Sequence, residues 1–426
     1  MKKHDIWRPR LGLIAAALAG SLAIPAAQAA PGDPLGPTQH VTDGIFSFAS
    51  IGRGSAGDTV VAFSGSLGLT ARRYAADGTV LGPDIAVGSV DYGPQPDVAV
   101  NAHGDFVVTW RSSAAGNGPV IYARRYKADG TALGDAVAVS EPAQPLLGDV
   151  YSDTATLAMD DDGDFVVGWA QGRTLETGNG FGCSYGIGIC TSFSAYSARL
   201  RRYSEGGTQA GPVRTLASSG SGEIQLLRLP GAAGSALRAP EVAMAGDGSY
   251  AATWERYSYV RLLSPLAGVY AQSFSANGLP GLTRVVSLQQ DNEASPSIAM
   301  DSKGGYVVTY QRKGIQARLY PASGGLGGLA FRVDDGTTGA DQPAAAMDEA
   351  GNFVIAWKTG SGSPRAVRAQ RYAAGGGPLG INFRVDDDIS GDAAVDPSVA
   401  SDRNGNFAIA WEAFFDGARV RFFEGP

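Results

Sequence analysis

Two acidic residues stand out as candidates for chemistry. Asp97 and Glu241 each follow a proline and open a short apolar stretch, Val98-Ala99-Val100 and Val242-Ala243-Met244. A pair of carboxyl groups is what glycosidic-bond cleavage requires, one to give a proton and one to activate water or attack. The alternative role for the pair is structural, tying down the edges of neighbouring strands. Other candidates are fewer. Asp160-Asp161-Asp162-Gly163-Asp164 has the look of a calcium loop but lacks the terminal bidentate glutamate. Asp386, Asp387, Asp388 and Asp392 form a second acidic cluster that could take calcium or simply be solvated. Outside the first ten residues the only histidines are His40 and His103, so a Ser-His-acid triad is poorly supported. No phosphate-cradling or redox-cofactor motif is present, and calcium is the one cofactor the residues leave open.

Aromatic and basic side chains mark a possible binding surface. Phe181, Tyr185 and Phe193 surround Cys183 and Cys190, and Arg256, Tyr257, Tyr259 and Arg261 form a second group. Rings beside arginines suit carbohydrate or protein ligands. The two cysteines are expected to pair if the chain matures in an oxidising compartment. Such a compartment is expected: Lys2, Lys3, Arg8 and Arg10 precede an apolar run from Leu11, and Ala27-Gln28-Ala29 offers small residues for cleavage. Residues 1–29 therefore read as a secretory signal peptide, with periplasm or medium as the destination. The run is too short for a membrane span, and none is expected in the mature chain. A formal charge of -7 over 426 residues argues against an electrostatic nucleic-acid binder. A monomer is the expected state.

These residues must be held by something, and the chain supplies it seven times. Gly104-Asp105-Phe106-Val107-Val108-Thr109-Trp110 is the clearest copy of a stretch in which an aromatic lies six residues after a glycine. The seven aromatics are Phe63, Trp110, Trp169, Trp254, Tyr310, Trp357 and Trp411. Before each stretch come a short apolar strand and a turn with glycine, a residue that takes a left-handed position without steric cost. After it come a strand such as Ile121-Tyr122-Ala123-Arg124-Arg125-Tyr126, a turn, and a fourth short strand. Four short strands recurring seven times over residues 30–426 predict one all-β domain, a seven-bladed β-propeller. The last unit lacks its fourth strand. Pro34-Leu35-Gly36 followed by Gln39-His40-Val41 matches Pro378-Leu379-Gly380 followed by Phe383-Arg384-Val385. The N-terminal strand should therefore complete the last blade and remove an exposed edge.

The repeat resembles the Gly-Asn-Phe-Val-Val-x-Trp and Tyr-Ala-Gln-Arg-Phe repeats of secreted and surface bacterial proteins, some of which carry calcium-binding modules. That resemblance covers nearly all of the chain after residue 29. It implies a propeller outside the cytoplasm, and it brings no common activity with it.

Departures from the repeat are where function can be grafted. The spacing from Trp169 to Tyr203 is 34 residues and from Trp254 to Phe274 is 20, against 10 in unit five. Insertions at about 170–200, 217–240 and 255–268 read as loops converging on one face near blades 3 and 4. The first expectation is a non-enzymatic binding module using that face for an extracellular protein or carbohydrate. The alternatives are a polysaccharide-acting hydrolase or lyase, with Asp97 and Glu241 at the channel mouth, and a structural envelope component.

Overall fold

The computed structural model describes residues 32–43, 48–65, 68–88, 95–113, 119–141, 149–177, 190–225, 234–237, 240–260, 263–289, 295–336, 339–360, 365–387, 394–413 and 416–425. The signal-peptide expectation lies outside them. Seven antiparallel sheets follow one another along the chain, each built on four strands in sequential order. They are the blades of a seven-bladed propeller. In blade 2 the inner strand is Asp97–Val100, the second Phe106–Ser112, the third Val120–Tyr126 and the outer Val137–Ala138.

The near-continuous apolar run of each second strand follows from its burial on both faces. Side chains alternate across a strand, so Phe106, Val108 and Trp110 join a cluster shared with blade 1 while Val107 joins one shared with blade 3. Seven apolar clusters arise in this way, each shared by two neighbouring blades, including blades 7 and 1. Six of the seven repeat aromatics (Phe63, Trp110, Trp169, Tyr310, Trp357 and Trp411) belong to these clusters, and Trp254 is buried beside Tyr270. The aromatic that opens the second strand stacks on the one that ends the third, as in Phe106–Tyr126 and Phe407–Phe423, both at 4.8 Å. A pair of this kind is worth ~0.5–1.5 kcal/mol beyond the area it buries.

The turn between inner and second strand has its own device. In blade 2 the Asn101 side-chain oxygen accepts the N–H groups of His103 and Asp105 at 2.9 Å, while Gly104 takes φ +82°. Asp160 does the same for Gly163 and Asp164 at 2.8 Å. The supposed calcium loop at Asp160 is thus one more copy of this turn.

Ring closure follows the sequence match. Gln39–Thr42 pairs with Gly417–Phe423 as the fourth strand of blade 7. Pro34 bridges Phe423 just as Pro378 pairs with Tyr372 in blade 6. A buried ion pair, Arg53 to Asp402 at 3.0 Å, fastens blade 1 to blade 7 at the turn end of the channel.

The insertions differ from expectation. They are not loops over their described lengths but continuations of the blade strands. In blade 3, Phe165–Thr177 and Cys190–Tyr203 run side by side without a register shift to the pair Thr177 and Thr191. Asp149–Met159 and Arg214–Gln225 flank them, making a four-stranded sheet that rises past the ring. In blade 4, Tyr250–Val260 and Leu263–Phe274 extend likewise, and Gly234–Leu237 adds a strand beside Arg256–Tyr259. The physical reason is composition. Thr174, Thr177, Thr191, Phe193 and Tyr196 in blade 3 and Tyr257, Tyr259 and Val260 in blade 4 are residue types that fit a pleated surface, and they recur among the Ser and Gly of the inserted segments.

Candidate active site at the channel mouth

The inner strands begin at the face from which the blade 3 and 4 extensions rise. Register places one residue of each blade at an equivalent position there: Ser50, Asp97, Thr156, Glu241, Ser297, Ala344 and Ser398. Their partners across the sheet are Ala62, Thr109, Gly168, Thr253, Thr309, Ala356 and Ala410. Proline precedes this position in five blades. It has no N–H to lose, so it suits the first residue of a strand. Together with their neighbours these residues line a cavity of about 530 Å³ to which all seven blades contribute.

The usual task of the position is to stitch blades together. The Ser398 hydroxyl accepts the N–H of Ile51 at 3.3 Å, and Ser297 accepts that of Ala345 at 3.2 Å. Asp97 does this and more. One carboxylate oxygen accepts the N–H of Leu157 in blade 3 at 2.7 Å; the other accepts the Ser50 hydroxyl of blade 1 at 2.6 Å and the N–H of Val98 at 2.9 Å. Burial still outweighs these bonds and pushes its pKa up to about 6.

Glu241 breaks the pattern. Its side chain is one methylene longer, and among the described residues no hydrogen bond reaches it. Burial first, and the Asp97 charge second, push its carboxyl up to about 8. Burial thus holds Glu241 toward its protonated form at a pH where Asp97, with its three donors, is further toward the carboxylate. Environments that drive two carboxyl groups apart in this way divide them into proton donor and acceptor.

A second acidic pair at the mouth, Glu412 and Asp396, has no counterpart among the candidate catalytic residues of the sequence, where Asp396 reads only as a neighbour of the acidic cluster at Asp386 to Asp392. Glu412 follows the repeat aromatic of blade 7 and lines the same cavity. Burial, then the nearby Asp396, push it up to about 8. Asp396 is raised as well by the cavity walls, with Lys358 opposing and Asp341 adding to the shift. The Gln342 amide donates to Asp396, and Lys358 pairs with Asp341 at 2.8 Å. The signal for Glu412 lay in the position after the repeat aromatic, which holds Ser64, Arg111, Ala170, Glu255, Gln311 and Lys358 in the other blades. Such variety offers no period to read.

The backbone on this arc is strained. Ser295, Gln342 and Asp396 have φ of 31°, 52° and 47°, and each precedes a proline. A left-handed non-glycine residue costs ~1–3 kcal/mol and is disfavoured further before proline. All three line the mouth.

The remaining sequence candidates fall elsewhere. Phe181, Tyr185, Arg261 and Cys183 lie outside the described residues, so the disulfide with Cys190 does too. Cys190 and Phe193 are on the third strand of blade 3, and Arg256, Tyr257 and Tyr259 on the second strand of blade 4, with Arg256 exposed. The described lining of the cavity includes none of them. Asp386 is buried and gripped by Arg384 at 2.8 Å, and Asp387 pairs with Arg421. Asp388 and Asp392 lie outside the described residues. Among the described residues, no group of three or more His, Cys, Asp or Glu side chains is placed to hold a metal ion. No helix among them is long and apolar enough to cross a membrane.

No family model and no curated protein matches this sequence. Solved structures do resemble it in fold. An ulvan lyase, described as a new family of polysaccharide lyase, superposes with a TM-score of 0.54 at 10% identity, covering 90% of this chain and 96% of its own. The same kind of enzyme bound to -[GlcA(1-4)Rha3S]- gives 0.52 at 9% identity, covering 93% and 95%. Likeness at this identity is likeness of fold.

Proposed function

We propose that this protein acts on polysaccharides at the channel mouth, breaking glycosidic bonds by proton transfer with Glu241 as donor and Asp97 as its carboxylate partner. The observation that carries the reading is the convergence of the two carboxyl groups from blades 2 and 4 on one cavity of about 530 Å³, one stitched by three donors and the other without a donor among the described residues. In hydrolysis the Glu241 proton passes to the departing glycosidic oxygen as its bond to carbon breaks. Water adds to the carbon and gives its proton to Asp97, and proton exchange with solvent resets the pair. General acid–base assistance of this kind contributes ~10²–10⁴-fold in rate. The fold likeness to two polysaccharide lyase structures supports a carbohydrate substrate.

The test is incubation of the protein with a broad panel of soluble polysaccharides, scoring retention and new chain ends together. New ends that vanish in Glu241→Gln support the reading. Full turnover in that variant removes Glu241 from the role. A second reading, a binding module without turnover, is favoured by one observation, the extension of the blade 3 and 4 strands past the ring. Retention without new ends, lost when the blade 3 extension is shortened, would select it.

A further inference from the structure

The lining of the mouth has a sign. Its described ionisable side chains are Asp97, Glu241, Asp396 and Glu412, and not one described lining residue is basic. The nearby Lys358 lies on the second strand of blade 6 and is already paired with Asp341. The rest of the polar lining is neutral: Gln95 and Gln342 amides, and hydroxyls of Ser50, Ser295 and Ser297 among others.

A sugar ring without charge meets a suitable surface here. Its hydroxyls can donate to the carboxylates of Asp97 and Asp396 and exchange hydrogen bonds with the amides and hydroxyls around them. A uronate or sulfated sugar meets like charge in a site of reduced dielectric, with no basic side chain among the described lining residues to offset it. Elimination chemistry faces the same obstacle. Removing the proton next to a uronate carboxylate places a second negative charge on the substrate, which a cation or a comparable group must stabilise. The contrast with the ulvan lyase complex is direct, because its ligand carries a glucuronate and a sulfate.

Resting on the carbohydrate reading above, we infer that the mouth selects uncharged glycans over uronate- or sulfate-bearing ones, so that cleavage is hydrolytic and not eliminative.

Matched pairs test this. Each pair consists of a neutral oligosaccharide and its uronate counterpart: glucan, mannan and galactan oligomers before and after oxidation at C6, and xylan oligomers without and with glucuronate branches. Binding to the full chain is measured by calorimetry at low salt, and products are followed by reducing ends and by the ultraviolet absorbance of unsaturated sugars. The expected result is that at least one neutral member binds about tenfold or more tightly than its uronate partner. The gap should narrow in ~0.5 M salt and in Asp396→Asn, where the repelling charge is screened or removed. Equal or tighter binding of the uronate members, or unsaturated products from any of them, overturns the inference while leaving the carbohydrate reading in place. Binding of neither member of any pair takes down the carbohydrate reading, and the selection with it.

Discussion

At the turn end of the channel Asp301 and Asp402 each hold two N–H groups of their own turn at 2.8 to 3.0 Å. At the opposite end Glu241 and Glu412 line a cavity and accept no hydrogen bond from any described residue. Both ends are rich in carboxyl groups, and the repeat delivers both sets by register. The difference is the supply of donors. Where backbone N–H groups converge, a carboxylate becomes part of the architecture, because the bonds satisfy its oxygens and fix its geometry. Where walls exclude water and donors are missing, the acid keeps its proton toward neutral pH and stays available for transfer. Asp97 stands between the two cases, stitched into three blades yet open to the same cavity as Glu241.

Exchanging the two kinds of carboxyl should give opposite losses. Glu241→Gln is expected to lower turnover on a cleaved glycan by ~10²–10⁴-fold with the melting temperature unchanged or higher. Asp301→Ala is expected to spare turnover and cost ~1–3 kcal/mol in urea unfolding. Activity retained in the first variant and lost in the second would invert the comparison. A comparably large effect, on stability alone, belongs to Asp402→Ala. It strands Arg53 in a buried site and should cost ~3–5 kcal/mol, and a loss below ~1 kcal/mol would show that the pair is not what fastens blade 7 to blade 1.

Smaller effects sharpen the picture. Glu241 and Glu412 have folded pKa values of about 8 against an ordinary 4.5. The folded state thus binds more protons than the unfolded one between those values, and stability must fall as pH rises through that window. Thermal melts from pH 5 to 8 should slope downward, and the double variant Glu241→Gln, Glu412→Gln should flatten the slope. An unchanged slope would place both groups in more watery surroundings. Smallest of all is shortening of the blade 3 extension, joining residue 174 to residue 194 through a tight Asn-Gly turn. Ring stability should move by less than ~1 kcal/mol, because the apolar clusters lie below the cut. Hydrolysis should survive the change, whereas a pure binding module would lose its ligand.

Much of the fold could be read from the chain because burial on both faces forces a continuous apolar run, and Trp110, Trp169 and their counterparts repeat at the end of it. The closing strand was legible for the same reason, since Pro34-Leu35-Gly36 repeats Pro378-Leu379-Gly380. Asp97 and Glu241 were legible as acids at a fixed distance from an apolar strand. Glu412 was not, because the position after the aromatic has no preferred residue. The long strands of blade 3 are not legible in the sequence, since their Ser-, Thr- and Gly-rich segments lack the apolar period that announces a strand packed inside a domain. Likewise, nothing in the order of residues shows that three residues before prolines take left-handed backbone.

Blade 7 is completed by the strand that comes first among those described. Arg421 reaches the carbonyl of Gly36 across 385 residues of sequence. Every other blade can zip up from hairpins between neighbours in the chain, while this one waits for residues at both extremes to meet. Contacts so distant are slow to form, because the entropy of closing the loop is lost before any reward is gained. Sealing of the ring is therefore expected to be the last and slowest step of folding. The seam between blades 7 and 1 is where a circular permutant, cut elsewhere in the ring and joined here, should fold faster than the natural order of the chain.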